Sequence, residues 1–180
     1  MVDSVRGHLL IAAPSLLDPN FQRTVVLVAE HTDEGALGVV LNRPADTTVG
    51  EVVPDLTPVV DSEETVFEGG PVQPGGVMVL AEFEDPDNAA LAVDGELGFV
   101  ALESDIDDLG TGRARAFAGH AGWGPGQLDA ELEEEAWFVA PFEREDVFTD
   151  DPTELWSRAL MRKGGAYALV ARMPEDPSLN

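Results

Sequence analysis

The first third of the chain is written in short, nearly unbroken apolar runs. His8 to Ala13 is apolar up to a break at Pro14, and Thr24 to His31 and Ala36 to Asn42 are rich in β-branched residues. Runs of this length and composition predict strands. The connection Thr32-Asp33-Glu34-Gly35 predicts a hairpin, with glycine where a positive φ is needed. Almost every position in both runs is apolar, so neither face of these strands is expected to be wet, and they belong inside a sheet covered on both sides. Between the first two runs, Asp18 is placed to cap one helical turn with Pro19 at its first position. Thr48-Val49-Gly50-Glu51 has the spacing of a capping box for a short helix that Pro54 ends.

Further strands are predicted over Thr65 to Glu68 and Val77 to Phe83, separated by Gly69-Gly70-Pro71 and Pro74-Gly75-Gly76. Asp85 to Gly95 reads as an acidic surface excursion, Leu97 to Leu102 as a return to the sheet, and Ser104 as the cap of a helical turn through Leu109. Arg113 to His120 is another strand, with Ala114, Ala116 and Ala118 on one face, small enough for a helix to lie close. The rhythm then changes to a helical one. Gln127 to Glu135 sets Leu128 and Leu132 four apart, and after a short strand at Trp137 to Ala140, Asp151-Pro152 opens a helix with Leu155, Trp156, Ala159 and Leu160 on one face. Arg162-Lys163 suit its C-terminal dipole and Gly164 stops it. Ala166 to Met173 fits either a strand or a helix. The whole predicts a mixed α/β (α+β) fold, one domain over residues 1–180, with a large mixed β-sheet and helices packed on it.

Composition narrows the function classes. Hydrophobic residues make up 44% of the 180, enough for a substantial core. No cysteine is present, which removes disulfides, thiol nucleophiles and thiolate metal sites. Thirty-five acidic residues face ten basic ones, a net charge of −25. Such a surface repels phosphate backbones and acidic leaflets, so neither nucleic acid nor membrane is an expected partner. A salt-rich cytoplasm or lineage preference accounts for the charge as simple solvation. No apolar run approaches the length of a membrane span, and the stretch at Leu9 to Ala13 is too short for a signal-peptide core and lacks a basic leader. The expected compartment is the cytoplasm.

Candidate chemistry is sparse. His8, His31 and His120 each end a predicted strand, and His31 sits among Glu30, Asp33 and Glu34. Ligands so close in a tight hairpin cannot converge on one metal, so a structural hydrogen bond is the expected role and no metal is expected. None of the serines lies in a G-x-S-x-G elbow. Asp105 to Gly110 fails as a calcium loop, because Leu109 takes a ligand position and Ala116 stands where a bidentate glutamate belongs. Gly119-His120-Ala121-Gly122-Trp123-Gly124-Pro125-Gly126 follows a strand and opens a helix, the setting in which backbone amides bind anions, yet it matches no nucleotide fingerprint. Its alternative role is a corner that folds Trp123 over the core. No cofactor signature is found. The unusual polar, glycine and aromatic choices fall in three segments, Asp18 to Arg23, His31 to Arg43 and Gly119 to Gln127. They are expected to converge on one side of the fold, giving Asp18, Arg23, His31, Asn42, Arg43, Trp123 and Gln127 as candidate ligand-binding residues. Equally open is a reading in which Asp18, Asn42 and Gln127 cap turns and Trp123 fills core.

Three stretches together resemble one family. They are Gly7-His8-Leu9-Leu10-Ile11-Ala12-Ala13-Pro14 running through Leu17-Asp18-Pro19-Asn20-Phe21 to Leu41-Asn42-Arg43-Pro44, then Gly69-Gly70-Pro71-Val72, then Gly119-His120 through Glu131 with Trp137 beyond. In this order they are similar to the YqgE/AlgH proteins over nearly the whole chain. That family usually has Tyr at position 120, Glu at 129 and Ser or Thr at 24, so His120 here removes a phenol. The resemblance implies a bacterial cytosolic protein with a large sheet in a mixed α/β architecture, and it implies no reaction. Some members carry the label of transcriptional regulator, but the charge of −25 and the lack of a basic recognition helix argue against direct DNA binding. The function expected is a binding or regulatory protein recognising a small molecule or a protein partner. A hydrolase acting through His31 and acidic partners is the alternative.

Overall fold

The computed structural model describes residues 3–103, 105–107 and 109–174. The N-terminal apolar runs form β1 (His8–Ala12), β2 (Val25–Thr32) and β3 (Gly35–Val40), with β2 and β3 joined by a two-residue hairpin in which Thr32 pairs with Gly35. The next strands are β4 (Pro44–Thr48), β5 (Thr65–Glu68), β6 (Val72–Phe83), β7 (Leu91–Asp94), β8 (Leu97–Phe99), β9 (Thr111–Trp123) and β10 (Trp137–Pro141). They lie in one sheet of order β10-β1-β2-β3-β9-β6-β8-β7, with β4 on β5 and β5 on β9. The β5–β9 ladder is parallel and the others are antiparallel, which makes the sheet mixed, as expected. The helices are α1 (Val49–Val52), α2 (Gln127–Glu133), α3 (Arg144–Phe148), α4 (Leu155–Lys163) and α5 (Ala166–Val170). None is long and apolar enough to cross a membrane.

Strand alternation sorts the core. On β2, Val25, Leu27 and Ala29 point into one cluster and Val26 and Val28 into another, all fully buried, so the expectation of a strand dry on both faces holds. The first face carries one connected cluster: α3 supplies Val147 and Phe148, and α4 supplies Leu155, Trp156, Ala159 and Leu160, against apolar residues reaching from β1 to β8. The second face is covered in two separate pieces. One packs Trp123, Trp137 and Leu128 on β1 to β3, and the other packs Val49 of α1 with Leu56 and Val60 on β6 and β9.

Several boundaries moved. Residues 85–95 are not a bare excursion, because Leu91–Asp94 pairs with β8 and ends the sheet. β9 runs on to Trp123, so most of the glycine-rich segment after Arg113 is strand, and only 124–126 is loop. The short apolar tail at 166–170 is helical. The helical turn assigned to Ser104 rests partly on residues outside those described. Helix α3 has no apolar stripe long enough to announce it; it is held by Arg115, whose guanidinium donates to the Val147 and Thr149 carbonyls.

An ion network fastens α3 further. Glu82 accepts from Arg113 Nε at 2.8 Å and from Arg144 at 3.1 Å, and the Arg113 hydrogen bond holds its carboxyl below the ordinary value of 4.5. A depressed folded-state value adds stability above pH 4.5 and loses it as pH falls toward the folded value. Urea melts from pH 7 to pH 3 should therefore show a steeper acid loss in wild type than in Glu82→Gln, which starts less stable. Parallel curves would show that this carboxylate is energetically idle.

Candidate functional site

Three strand ends meet at one point of the sheet, and glycine is required there. β9 pairs with β5 at Phe117 and Ala118 and with β3 from Ala121 onward, so it changes neighbour around Gly119. Gly69 bridges the junction: its N–H donates to the Ala118 carbonyl, and its own carbonyl accepts from Val40 N–H. A Cβ on Gly69 would lie 2.3 Å from the Gly119 carbonyl oxygen, and one on Gly70 would lie 2.1 Å from the His120 carbonyl carbon. Gly119, at φ +73°, would meet the Gly70 oxygen at 2.4 Å. No side chain fits where backbone crosses backbone this closely.

The junction is also where the second face loses its cover. Between the two apolar clusters opens a cleft of about 440 Å³. Its floor is small, with Ala45, Ala118 and Gly70; its apolar walls include Val52, Val53, Val66, Pro71 and Pro74; and its polar groups are Asn20, Arg43, Thr47 and Glu68. Val52 is 54% exposed at the rim. The volume lies within the range of small-molecule sites, and the lining is mostly apolar with a few polar groups, as such sites are. The Arg43 and Gly70-Pro71 segments, distant in sequence, therefore reach one cleft.

Four of the expected residues build the turn at its near wall. Asp18 accepts from Asn20 N–H at 2.9 Å and its carbonyl receives the Phe21 and Gln22 amides, closing a turn as its capping role predicts, although the turn does not extend into a helix. Arg43 donates to the carbonyls of Asn20, Pro19 and Gln22 at 2.7, 2.9 and 3.1 Å. Asn42 accepts from Val25 N–H and donates to the Arg23 carbonyl, splicing the turn onto β2. Arg23 holds φ +56° and stacks its guanidinium 4.0 Å from the Trp156 ring centroid. Of these four, Arg43 lines the cleft; the others fix the turn that does.

His31, Trp123 and Gln127 lie at the opposite end of the β2–β3 hairpin, where Ala36 pairs with Trp123. The expected single convergence is thus only partly met. Phe21 stacks on Trp123 at 6.1 Å and meets Trp137 edge-on at 5.7 Å, which joins the segments through rings, while their polar groups stay apart. His31, Trp123 and Gln127 each have a hydrogen-bond partner. Glu131 accepts from the indole N–H of Trp123 at 2.7 Å and of Trp137 at 3.1 Å. Gln127 accepts from Gly124 N–H and donates toward Glu131. Trp123 is buried, so its packing role is met, and a hollow of about 220 Å³ beside it is lined largely by Glu30, Thr32 and Glu34.

His31 is engaged at both ring nitrogens. Nδ1 accepts from Val5 N–H at 3.1 Å, which places the proton on Nε2, and Nε2 donates to Asp129 at 2.8 Å. No lone pair remains for a general base, so the geometry gives the hydrolase alternative no support. The ring ties residues 4–6, β2 and α2 together. His31→Ala should cost about 2 kcal/mol, lowering the melting temperature by about 4–8 °C. An unchanged melt would show that these bonds are not made. Among the described residues no group of three or more histidine, aspartate or glutamate side chains could hold a metal ion.

Two residues of consequence escaped the sequence reading. Glu131 looked like one of many helix-surface acids, although its i,i+4 relation to Gln127 and the neighbouring tryptophans was a usable signal. Glu68 ended a predicted strand; alternation with Val66 already put it on the cleft face.

The comparisons with known proteins cover this whole architecture. The family model described as AlgH-like, DUF179, matches residues 9–168. A UPF0301 protein of Streptomyces coelicolor is 46% identical over 99% of this chain and 97% of its own length, and one of Mycobacterium avium is 39% identical over 97% and 90%. The crystal structure of a Corynebacterium diphtheriae protein superposes with a TM-score of 0.85 at 30% identity, covering 94% of this chain and 93% of that one. The solution structure of AlgH from Pseudomonas aeruginosa gives 0.73 at 32%, covering 97% and 98%. The glycine junction, the arginine-held turn and the tryptophan–glutamate staple are where the three stretches of resemblance fall, and the chain belongs to the AlgH-like family of UPF0301 proteins.

Proposed function

We propose that this protein is a binding protein, without catalysis of its own, that holds a small molecule in the cleft between α1, β4, β5 and β6. The observation that carries the reading is the interruption of apolar cover on the second face. One face carries a single connected apolar cluster, whereas on the other the cluster is split in two, with a gap floored by alanine and glycine and rimmed by exposed valine. Apolar surface left open at a built concavity is surface reserved for an occupant. The glycine crossing holds the floor rigid, and the Arg43-clamped turn fixes one wall, so the cleft is formed before the ligand arrives. A regulatory role follows if occupancy is read out by another protein.

A thermal-shift screen against metabolites tests this, since a ligand of the native state raises apparent stability by mass action. The control is Thr47→Phe, which fills the cleft from an exposed edge-strand position and leaves the core alone, with Ala118→Leu as a second filling variant. Stabilisation by a metabolite that both variants abolish supports the reading; equal stabilisation of wild type and variants overturns it. DNA is not the occupant on this account. Gel shifts at physiological salt should show no duplex binding, because approaching phosphates meet a surface of charge −25. A specific shift at that salt would contradict this.

A further inference from the structure

Resting on that reading, we infer that the cleft selects an organic cation: a small amine or ammonium whose charged group pairs with Glu68 and whose apolar body lies against the valine and proline walls. The register places Glu68 opposite Ala118 on the cleft face of the sheet, with Val66 beside it on β5. Its backbone N–H is committed to the Arg43 carbonyl, but its carboxylate has no hydrogen-bond or ion-pair partner among the described residues. The cleft's cation is differently placed. The Arg43 guanidinium already donates to three backbone carbonyls, and those bonds are directed into the turn. The cleft thus presents an unengaged carboxylate and a guanidinium tied into the turn by three of its five N–H groups. The net charge of −25 adds a field that draws cations toward the protein and repels anions. Alanines on the floor leave room at Glu68 for a group as bulky as an alkylated ammonium, and aliphatic walls suit a saturated body.

The test uses three probes of one shape and different charge: cyclohexylmethylamine, cyclohexylmethanol and cyclohexanecarboxylate, titrated into ¹⁵N-labelled protein while amide shifts are followed. The amine should shift the amides of Ala45, Thr47, Glu68 and Ala118. It should bind about threefold or more tighter than the alcohol, the ratio one partly exposed ion pair provides. The carboxylate should bind most weakly. Glu68→Gln should bring the amine level with the alcohol and leave the alcohol's affinity in place, and added salt should narrow the same gap in wild type. An amine no better than the alcohol, a carboxylate that equals either, or an unchanged ratio in Glu68→Gln overturns charge selection and leaves the cleft standing as a site. If none of the three shifts the cleft amides, both the inference and the binding reading fall. Glu68 is exposed and its side chain supports no other group, so the variant remains folded and its result is interpretable.

Discussion

Alanine at position 70 is expected to prevent folding or to cost more than about 4 kcal/mol, whereas alanine at position 75 should change stability by less than about 0.5 kcal/mol. Both glycines line the same cleft. Gly70 holds φ +151° with its missing Cβ pointed at the His120 backbone, 2.1 Å from the carbonyl carbon, so a methyl there forces β9 or the β5–β6 connection to move. Neither can move cheaply, because Gly69 hydrogen-bonds to both β9 and β3 at that point. Gly75 has open space around its Cβ position and no positive φ. Alanine there removes backbone freedom from the unfolded chain at no steric cost. Denaturant melts of the two variants separate the explanations: a general need for flexibility along 69–76 penalises both, and backbone crossing penalises Gly70→Ala alone.

The second large effect is expected at Glu131. Glu131→Leu leaves the indole N–H groups of Trp123 and Trp137 without an acceptor in a half-buried setting. At about 1–3 kcal/mol for each stranded donor, the loss should be about 3 kcal/mol, a fall of about 6–12 °C in melting temperature, with a shift in tryptophan emission. Glu131→Gln keeps one acceptor oxygen and should lose about half as much. A melt within 1–2 °C of wild type for the leucine variant would mean that solvent satisfies both indoles and that the staple does not hold α2.

The fold was legible where one physical rule governed each position. The all-apolar run at 25–29 could only be a strand dry on both faces, and the stripe of Leu155, Trp156, Ala159 and Leu160 could only be a helix on that sheet. α3 was illegible because its five residues carry no apolar stripe, only a capping box of Glu143 and Asp146, and tertiary bonds from Arg115 hold its end. The site was legible in part. Unusual residues at strand ends did mark structure that matters, but sequence cannot say which end of a hairpin a residue occupies relative to a distant segment. Asn42 and Gln127 therefore looked like neighbours and are not. Their capping alternatives were the ones the hydrogen bonds realise. Glu68 was missed for the opposite reason: alternation set it on the same face as Val66, but only the register shows what that face meets.

The central claim is that the gap on the second face is the ligand site, and a map of amide shifts answers it most directly. With ¹⁵N-labelled protein saturated by whichever metabolite stabilises it most, the account predicts perturbations centred on Ala45, Thr47, Glu68, Gly70, Gly75 and Ala118, absent in Thr47→Phe. Perturbations centred instead on Thr32, Glu34 and Trp123, around the hollow at the hairpin turn, would contradict it.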